Sequence, residues 1–279
     1  MKLFNFTLIM LLMIFIALSC KKDNDNDDDD NGGSIVCTLM KTVKTEVGEN
    51  ADTSIYEYNT SGQLVKIAYW EEGMTQAFGY DTVIYQSGNI SQIKRYYTGE
   101  TDPDRTYSYT FTGSNITQIV EQGTENDTAY TATYTYTYTD GNLTSMTSTG
   151  SPHENMSFDN ATYENGNLSY IEMDFGGTGD AIMKMTAVFD NKKNVLRHYI
   201  PVPDQMVLAC NTNNMMQAVL ADSVHFNDTT YLEGSLIMDK TFTYTTEDEV
   251  ETITENPTIF DDQDANQRIT THTYECIEQ

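Results

Sequence analysis

The chain has 279 residues, enough for one large β domain or two small domains, and 39% of them are hydrophobic. Its formal net charge of −27 at pH 7 disfavours nucleic acid and anionic membrane surfaces as partners, because both are themselves negatively charged. A charge of this sign is typical of a solvated surface, and it would also suit a cationic partner or divalent ions.

Residues 1–19 have the pattern of a secretion signal. Lys2 supplies the positive start, and residues 8–16 form an apolar run that is too short for a stable transmembrane helix. The segment ends Ala17-Leu18-Ser19-Cys20, which resembles a bacterial lipobox. That resemblance implies that Cys20 is lipidated and becomes the first residue of the mature chain; the alternative is an ordinary signal with a coincidental cysteine.

Residues 20–33 are interpreted as an acidic flexible tether, because the run NDNDDDDNGG carries like charges that repel one another and cannot pack. Asp27 and Asp29 match the start of a calcium loop, but Thr38 stands where the closing glutamate is needed, so the linker interpretation is favoured. Surface lipoproteins of Bacteroidetes carry a similar acidic tract after the lipidated cysteine as an export signal. The resemblance implies a lipid-anchored protein of the outer membrane, exposed at the cell surface.

A β-hairpin phrase is the main organising feature of the chain after residue 34. It is clearest in residues 134–146, YTYTYTDGNLTSM, where tyrosines alternate with threonines and Asp140-Gly141 supplies a tight turn. The apolar residue after each turn recurs at steps of 25 to 27 residues, the length of one hairpin and its connection. These residues are Leu64, Ile90, Ile116, Leu143, Leu168 and, in a weaker copy without glycine, Val195.

A second apolar residue lies three positions after most of these, as in Leu64 and Ile67. This spacing would put the two side chains on opposite faces of a regular strand. It therefore indicates either a bulge after each turn or a sheet that is covered on both faces.

The repeats stop near Pro201, and residues 201–222 are interpreted as a break inside a single domain of residues 34–279. Residues 206–221 lack alternation and predict a short helix or an irregular plug. Strands are predicted again around residues 223–226, 236–244, 250–254 and 270–276. The fold class is therefore all-β, an antiparallel meander of hairpins.

Three cysteines remain besides Cys20, and an oxidising envelope permits a disulfide between two of them. The sequence by itself does not choose among Cys37, Cys210 and Cys276. Three cysteines permit one pair and one leftover; Cys37 opens the first predicted strand and Cys276 lies in the last, so these two could meet if the ends of the sheet close.

No catalytic, metal or cofactor motif emerges from the sequence. The four histidines have no metal-binding spacing, and Asp262, Asp264 and Asn266 lack the glycine of a calcium loop because Gln267 replaces it. Carboxylates are so numerous that a glycosidase-type pair is not locatable. We expect a non-enzymatic protein without a cofactor.

The Tyr-x-Tyr, Gly-x-Leu and x-x-Ile phrase resembles the tyrosine-aspartate repeats of large bacterial surface proteins. Residues 34–279 as a whole resemble a Bacteroidetes lipoprotein family of unknown function with a porin-like fold. The resemblance implies an antiparallel sheet curled into a barrel or half-barrel, and it brings no catalytic residues. Because polar residues interrupt every candidate outer face, we expect a soluble barrel that is tethered by lipid.

The leading functional hypothesis is a non-catalytic binding module for a glycan or a protein partner, attached to the outer membrane and without affinity for nucleic acid. Trp70, Tyr69, Tyr96 and Tyr97 are the candidate contacts, since exposed aromatic side chains suit sugar rings and protein interfaces. The alternatives are a structural or accessory subunit of an outer-membrane complex and a carbohydrate-active hydrolase.

Overall fold

In a computed structural model of the protein, the described residues are 35–46, 51–125, 127–150, 157–174, 182–198, 202–203, 206–226, 229–258 and 267–278. The interpreted signal, Cys20 and the acidic tether lie outside these ranges, as do Asp262, Asp264 and Asn266. The described residues form eighteen strands, a 3₁₀ helix at Val195–His198 and an α-helix, α1, at Met206–Ala209.

The strands are β1 Ile35–Glu46, β2 Asp52–Tyr58, β3 Leu64–Glu71, β4 Gly79–Gln86, β5 Asn89–Tyr97, β6 Arg105–Thr112, β7 Asn115–Glu125, β8 Thr128–Thr139, β9 Asn142–Thr149, β10 Ser157–Glu164, β11 Asn167–Asp174, β12 Ile182–Lys193, β13 Asn213–Leu220, β14 Val224–Phe226, β15 Thr229–Tyr231, β16 Leu236–Tyr244, β17 Val250–Glu255 and β18 Arg268–Glu278.

Sixteen of these strands close into an antiparallel barrel, which confirms the predicted hairpin meander and selects a full barrel over a half-barrel. Neighbours in the chain are neighbours in the sheet, except that β13 pairs directly with β16. The strands between them, β14 and β15, form a separate hairpin. Among the described residues, no helix is both long enough and apolar enough to cross a membrane.

The barrel closes where the first strand meets the last. Strands β1 and β18 pair along almost their whole length, and Cys37 lies directly opposite Cys276. These two cysteines form a disulfide across 239 residues of sequence. The structure thus selects, from the pairings that the sequence leaves open, the one that joins the two ends of the sheet.

The two faces of the barrel wall differ in polarity. In β8, Ala132, Tyr134 and Tyr136 are buried, while Thr135 and Thr137, at alternate positions, are exposed. The buried residues of this strand belong to one hydrophobic cluster with residues from nearly every barrel strand. Over residues 130–139 of this strand the inward side chains are alanine and tyrosines, and the outward side chains are threonines.

A bulge follows the turns of the repeated hairpins, so one of the two alternatives left by the spacing of three is confirmed. In β9 the register shifts after Leu143, which leaves Thr144 unpaired and turns Leu143 and Met146 to the same, inner face. The Thr144 hydroxyl donates to the Thr137 carbonyl at 3.3 Å. The register shifts at the same position in β3, β5, β7 and β11. The residues skipped there are Val65, Ser91, Thr117 and Ser169.

Tyrosines placed just before the turns connect successive hairpins. Tyr85 donates its hydroxyl to the Leu64 carbonyl at 3.0 Å, and Tyr138 donates to the Ile116 carbonyl at 2.9 Å. The acceptor is in each case the apolar residue at the bulge of the preceding hairpin. The repeated tyrosines therefore act from inside the barrel as cross-links between repeats.

The weakened sixth repeat makes no hairpin. After Lys193 the chain enters the 3₁₀ helix, and the buried side chain of Asn194 accepts from the Leu196 amide at 3.0 Å. Asn214 holds the start of this helix by accepting from the Val195 amide at 2.6 Å. The segment predicted as a short helix or plug contains α1 and then the barrel strand β13.

This excursion packs at the end of the barrel that carries the tight turns, which we call the turn end. Met206 and Ala209 are buried in the core, and the inward Tyr136 hydroxyl donates to the Pro203 carbonyl at 3.5 Å. The opposite end, where β3 leads into β4 and β5 into β6, is called the connection end.

Candidate functional site

A cluster of charged and hydroxyl side chains lies on the inner wall of β3–β8, near the connection end. We call it the inner network. Its members are Tyr69, Asp81, Arg95, Arg105, Tyr107, Glu121, Tyr130 and Tyr134. They lie closer to the connection end than the two inward apolar residues of each repeat, so the interior changes from apolar to polar along the barrel.

The first half of the inner network is centred on Asp81, which is 2% exposed. Arg95 donates to both carboxylate oxygens of Asp81 at 2.9 Å, in the bidentate geometry that gives the strongest pairs of this kind. The Tyr69 hydroxyl donates to the same carboxylate at 2.7 Å, and the Arg95 guanidinium lies 5.7 Å from the Tyr69 ring centroid.

The second half is centred on Glu121, which is 6% exposed. Tyr130 and Tyr134 donate to its two oxygens at 2.7 and 3.1 Å, and Arg105 adds a weaker contact at 3.4 Å. Gly123 lies directly opposite Tyr130, and a side chain at Gly123 would come within 2.9 Å of the Tyr130 hydroxyl oxygen. The glycine therefore leaves the space in which this tyrosine reaches Glu121.

Burial and the carboxylates together set the protonation of the network. Burial, then the Asp81 charge, raises the pKa of Tyr69 well above its usual value. Burial, then the Glu121 charge, raises the pKa of Tyr107 to about 12. Burial alone would lower the pKa of Arg95, but its hydrogen bonds to Asp81 raise the pKa instead. Both tyrosines are therefore neutral at physiological pH.

The carboxylates of the inner network are held by donors from the chain itself. Each oxygen of Asp81 and Glu121 accepts at least one hydrogen bond from a tyrosine or an arginine. Among the described residues, no group of three histidine, cysteine or acidic side chains has a geometry that would hold a metal ion.

Two of the four contact residues proposed from the sequence, Tyr69 and Tyr97, lie on the inner side of the wall. The Tyr69 ring stacks on Phe78 with 6.2 Å between centroids, and Tyr97 lies opposite Gly79, which follows Phe78. Phe78 is 40% exposed and Tyr97 is 52% exposed. We call Tyr69, Phe78 and Tyr97 the aromatic rim, since they stand beside the inner network at the connection end.

The other two, Trp70 and Tyr96, lie on the outer side of the same strands, because neighbouring residues of a strand point to opposite faces. Tyr96 of β5 stacks on Tyr80 of the neighbouring strand β4 on this outer face, with 5.0 Å between ring centroids. All four proposed residues therefore share one end of β3–β5, but the wall divides them into two surfaces.

Sequence reasoning missed the charged members of the inner network, although the repeat contains a signal for them. Tyr69, Arg95 and Glu121 each lie two residues after the second apolar residue of a repeat. The bulge turns that apolar residue inward, and period two then turns the next alternate residue inward as well. Applying the bulge to every repeat would have identified these positions.

No protein-family model matches the chain, and no curated protein matches it. Among solved structures, the fold is similar to that of a porin-like protein from Bacteroides uniformis, with a TM-score of 0.51 and 15% identity over 85% of this chain and 98% of that chain. A porin-like protein from Bacteroides vulgatus has a TM-score of 0.41 and 11% identity over 86% of this chain and 99% of that one. The likeness to the Bacteroides uniformis protein shows a shared barrel fold.

Proposed function

We propose that this protein is a non-catalytic glycan-binding barrel that is held at the outer face of the cell by a lipid on Cys20. The observation that carries the binding proposal is the aromatic rim. It exposes large parts of Phe78 and Tyr97 beside the Asp81–Arg95 and Glu121–Arg105 ion pairs, in which the acidic side chains are buried. Sugar-binding sites combine these two features, since aromatic rings contact the apolar face of a sugar and polar groups bind its hydroxyls.

The polarity of the wall supports a barrel outside the bilayer. A membrane-spanning barrel needs an apolar outer band that faces lipid and tolerates a polar lumen. In this protein the alternation is reversed, as Thr135 and Thr137 face outward and Tyr134 and Tyr136 face inward. Attachment would therefore come from the amino terminus, as the lipobox-like sequence before Cys20 suggests.

The inner network supports the non-catalytic reading. A glycosidase needs one carboxyl group that delivers a proton and another that attacks the sugar or activates water. Asp81 and Glu121 have their oxygens engaged by arginines and tyrosines, which suits a role in positioning those donors. The two carboxylates thus fit a scaffold better than a reaction centre.

A second candidate function, an accessory subunit of an outer-membrane complex, is favoured by a different surface. Ile55, Ala68, Tyr80 and Tyr96 are successive register partners across β2–β5, and they face outward as one row. Ile55 is 38% exposed. Apolar side chains that lie side by side on an outer surface are a feature of protein interfaces.

Neighbouring tyrosines on opposite faces of β5 allow the two functions to be separated. Purified residues 34–279 would be screened against a glycan panel, with binding and reducing-end release recorded together. We expect saturable binding without release, weakened by Tyr97→Ala and unchanged by Tyr96→Ala. Release of reducing ends would show a hydrolase. Absence of binding to every glycan would reject the glycan proposal and favour the accessory role, in which Tyr96→Ala should weaken association with the partner.

A further inference from the structure

Two arginines stand directly opposite each other on the inner wall. Arg95 of β5 and Arg105 of β6 are register partners in the antiparallel sheet, which places their Cα atoms about 5 Å apart. Both side chains are 29% exposed. The chain contains only 15 lysines and arginines against 42 acidic residues, so the pairing of two cations at this position calls for a physical reason.

Like charges that face each other across strands destabilise a sheet. The protein offsets this cost by placing a buried carboxylate behind each arginine, Asp81 behind Arg95 and Glu121 behind Arg105. Each carboxylate fixes its guanidinium from the buried side. The two guanidinium groups are thereby held in place before any ligand arrives, which reduces the entropy lost on binding.

Each arginine keeps donors that the buried carboxylates do not use. A guanidinium group has five N–H donors, and Arg95 gives two N–H groups to Asp81, through Nε and Nη2. Arg105 contacts Glu121 through Nη1 at 3.4 Å, its Nε lies 3.6 Å from an Asp104 carboxylate oxygen, and it also forms a side-chain hydrogen bond with Tyr107, so these three contacts still leave N–H donors over. The partly exposed sides of both groups therefore retain N–H donors, and Tyr97 of the aromatic rim lies two residues beyond Arg95 on the same face.

We propose that Arg95 and Arg105 together bind one oxyanion of an acidic glycan, either the carboxylate of a uronic acid or a sulfate ester, while Tyr97 contacts the sugar ring. This proposal rests on the glycan-binding function proposed above and names its ligand class. The net charge of −27 repels a uniformly charged polymer, so the preferred glycan carries isolated acidic residues among neutral ones.

The test compares the full mature chain with variants from which a whole charge pair is removed. Arg95→Gln with Asp81→Asn, and Arg105→Gln with Glu121→Gln, remove one cation and its buried carboxylate together. Lys66→Gln with Glu57→Gln removes an equivalent pair, joined at 2.9 Å, from the outer wall, and is the matched control. Thermal unfolding and near-ultraviolet circular dichroism would establish that each variant is folded.

Binding of a neutral galactose oligosaccharide would be compared, at matched ionic strength, with binding of the same oligosaccharide carrying one galacturonate residue and of the same oligosaccharide carrying one sulfate ester. We expect the acidic ligands to bind the native protein about tenfold or more tightly than the neutral one, since hydrogen bonds to charged groups are the stronger class. Either inner-wall variant should abolish this preference, and the outer-wall control should keep it. The two acidic arms show whether carboxylate or sulfate is the better ligand.

Equal affinity for neutral and acidic oligosaccharides would overturn the oxyanion proposal and leave glycan binding intact. So would a preference that survives in both inner-wall variants. If no oligosaccharide binds, the proposed function fails, and inorganic sulfate then tests the arginine pair by itself. Stabilisation by sulfate over chloride in the native protein and not in the inner-wall variants would support oxyanion binding by the two arginines, and absence of this difference would overturn it.

Discussion

Removing the hydroxyl of Tyr138 tests whether the repeated tyrosines cross-link successive hairpins. In the Tyr138→Phe variant, the Ile116 carbonyl loses a donor that lies 2.9 Å away. Burial raises the pKa of Tyr138, so the hydroxyl is protonated and able to donate at neutral pH. A hydrogen bond of this kind contributes about 1 kcal/mol net. For a domain of this size, that corresponds to a fall in Tm of about 3 °C.

The third repeat provides the reverse experiment. Phe111 occupies the position of Tyr85 and Tyr138, two residues before the next turn, and it pairs with Ile116 in the same register that joins Tyr138 to Leu143. A hydroxyl added by Phe111→Tyr would meet the Ile90 carbonyl, the counterpart of the acceptors in the other repeats. We expect this variant to raise Tm, by up to about 3 °C.

Differential scanning calorimetry of both variants beside the native protein would measure these shifts. Tyr97→Phe is the control, because the Tyr97 side chain is 52% exposed and the change removes contacts with water rather than a buried cross-link. Equal shifts for Tyr138→Phe and Tyr97→Phe, or a lower Tm for Phe111→Tyr, would refute the idea that a shared hydrogen bond connects the repeats.

Three further predictions concern the seam between β1 and β18, the buried tyrosines and the amino terminus. Replacing Cys37 and Cys276 together with serine should lower the free energy of unfolding by up to about 5 kcal/mol in denaturant titrations, because their disulfide closes a loop spanning a separation of 239 residues; a loss below about 1 kcal/mol would show that strand pairing alone secures the seam. Burial raises the pKa of Tyr58 and Tyr107 to about 12 from a usual value of 10.0, so stability should be intact below pH 10 and lost as pH rises towards 12. Tyrosinate absorbance and the free energy of unfolding would be measured over the same pH range. Complete ionisation of the tyrosines at a pH where the free energy of unfolding is unchanged would contradict this prediction. Cys20→Ala should abolish acyl labelling, and protease added to intact cells should remove the barrel from unmodified cells; persistent labelling or full protection would reject the surface-lipoprotein proposal.

The hairpins were predictable because their determinants are local. Asp140-Gly141 both adopt positive φ, as a tight turn requires, and the period of the Tyr-Thr alternation sets which face is buried. The two apolar residues three positions apart after each turn indicate a bulge, but the sequence alone also allows a sheet that is covered on both faces. The register of β8 with β9, which skips Thr144, decided between them.

Residue patterns determined the strand content, the repeat length and the inward face of each hairpin, since each depends on residues that are close in the chain. Closure depends on the summed twist and stagger of sixteen strands, so the meeting of Cys37 and Cys276 appears only in three dimensions. The same holds for the inner network, because Asp81 and Arg95 are 14 residues apart and meet only through the register of β4 with β5. Local chemistry thus fixed the elements, and long-range pairing decided which charged groups share a surface.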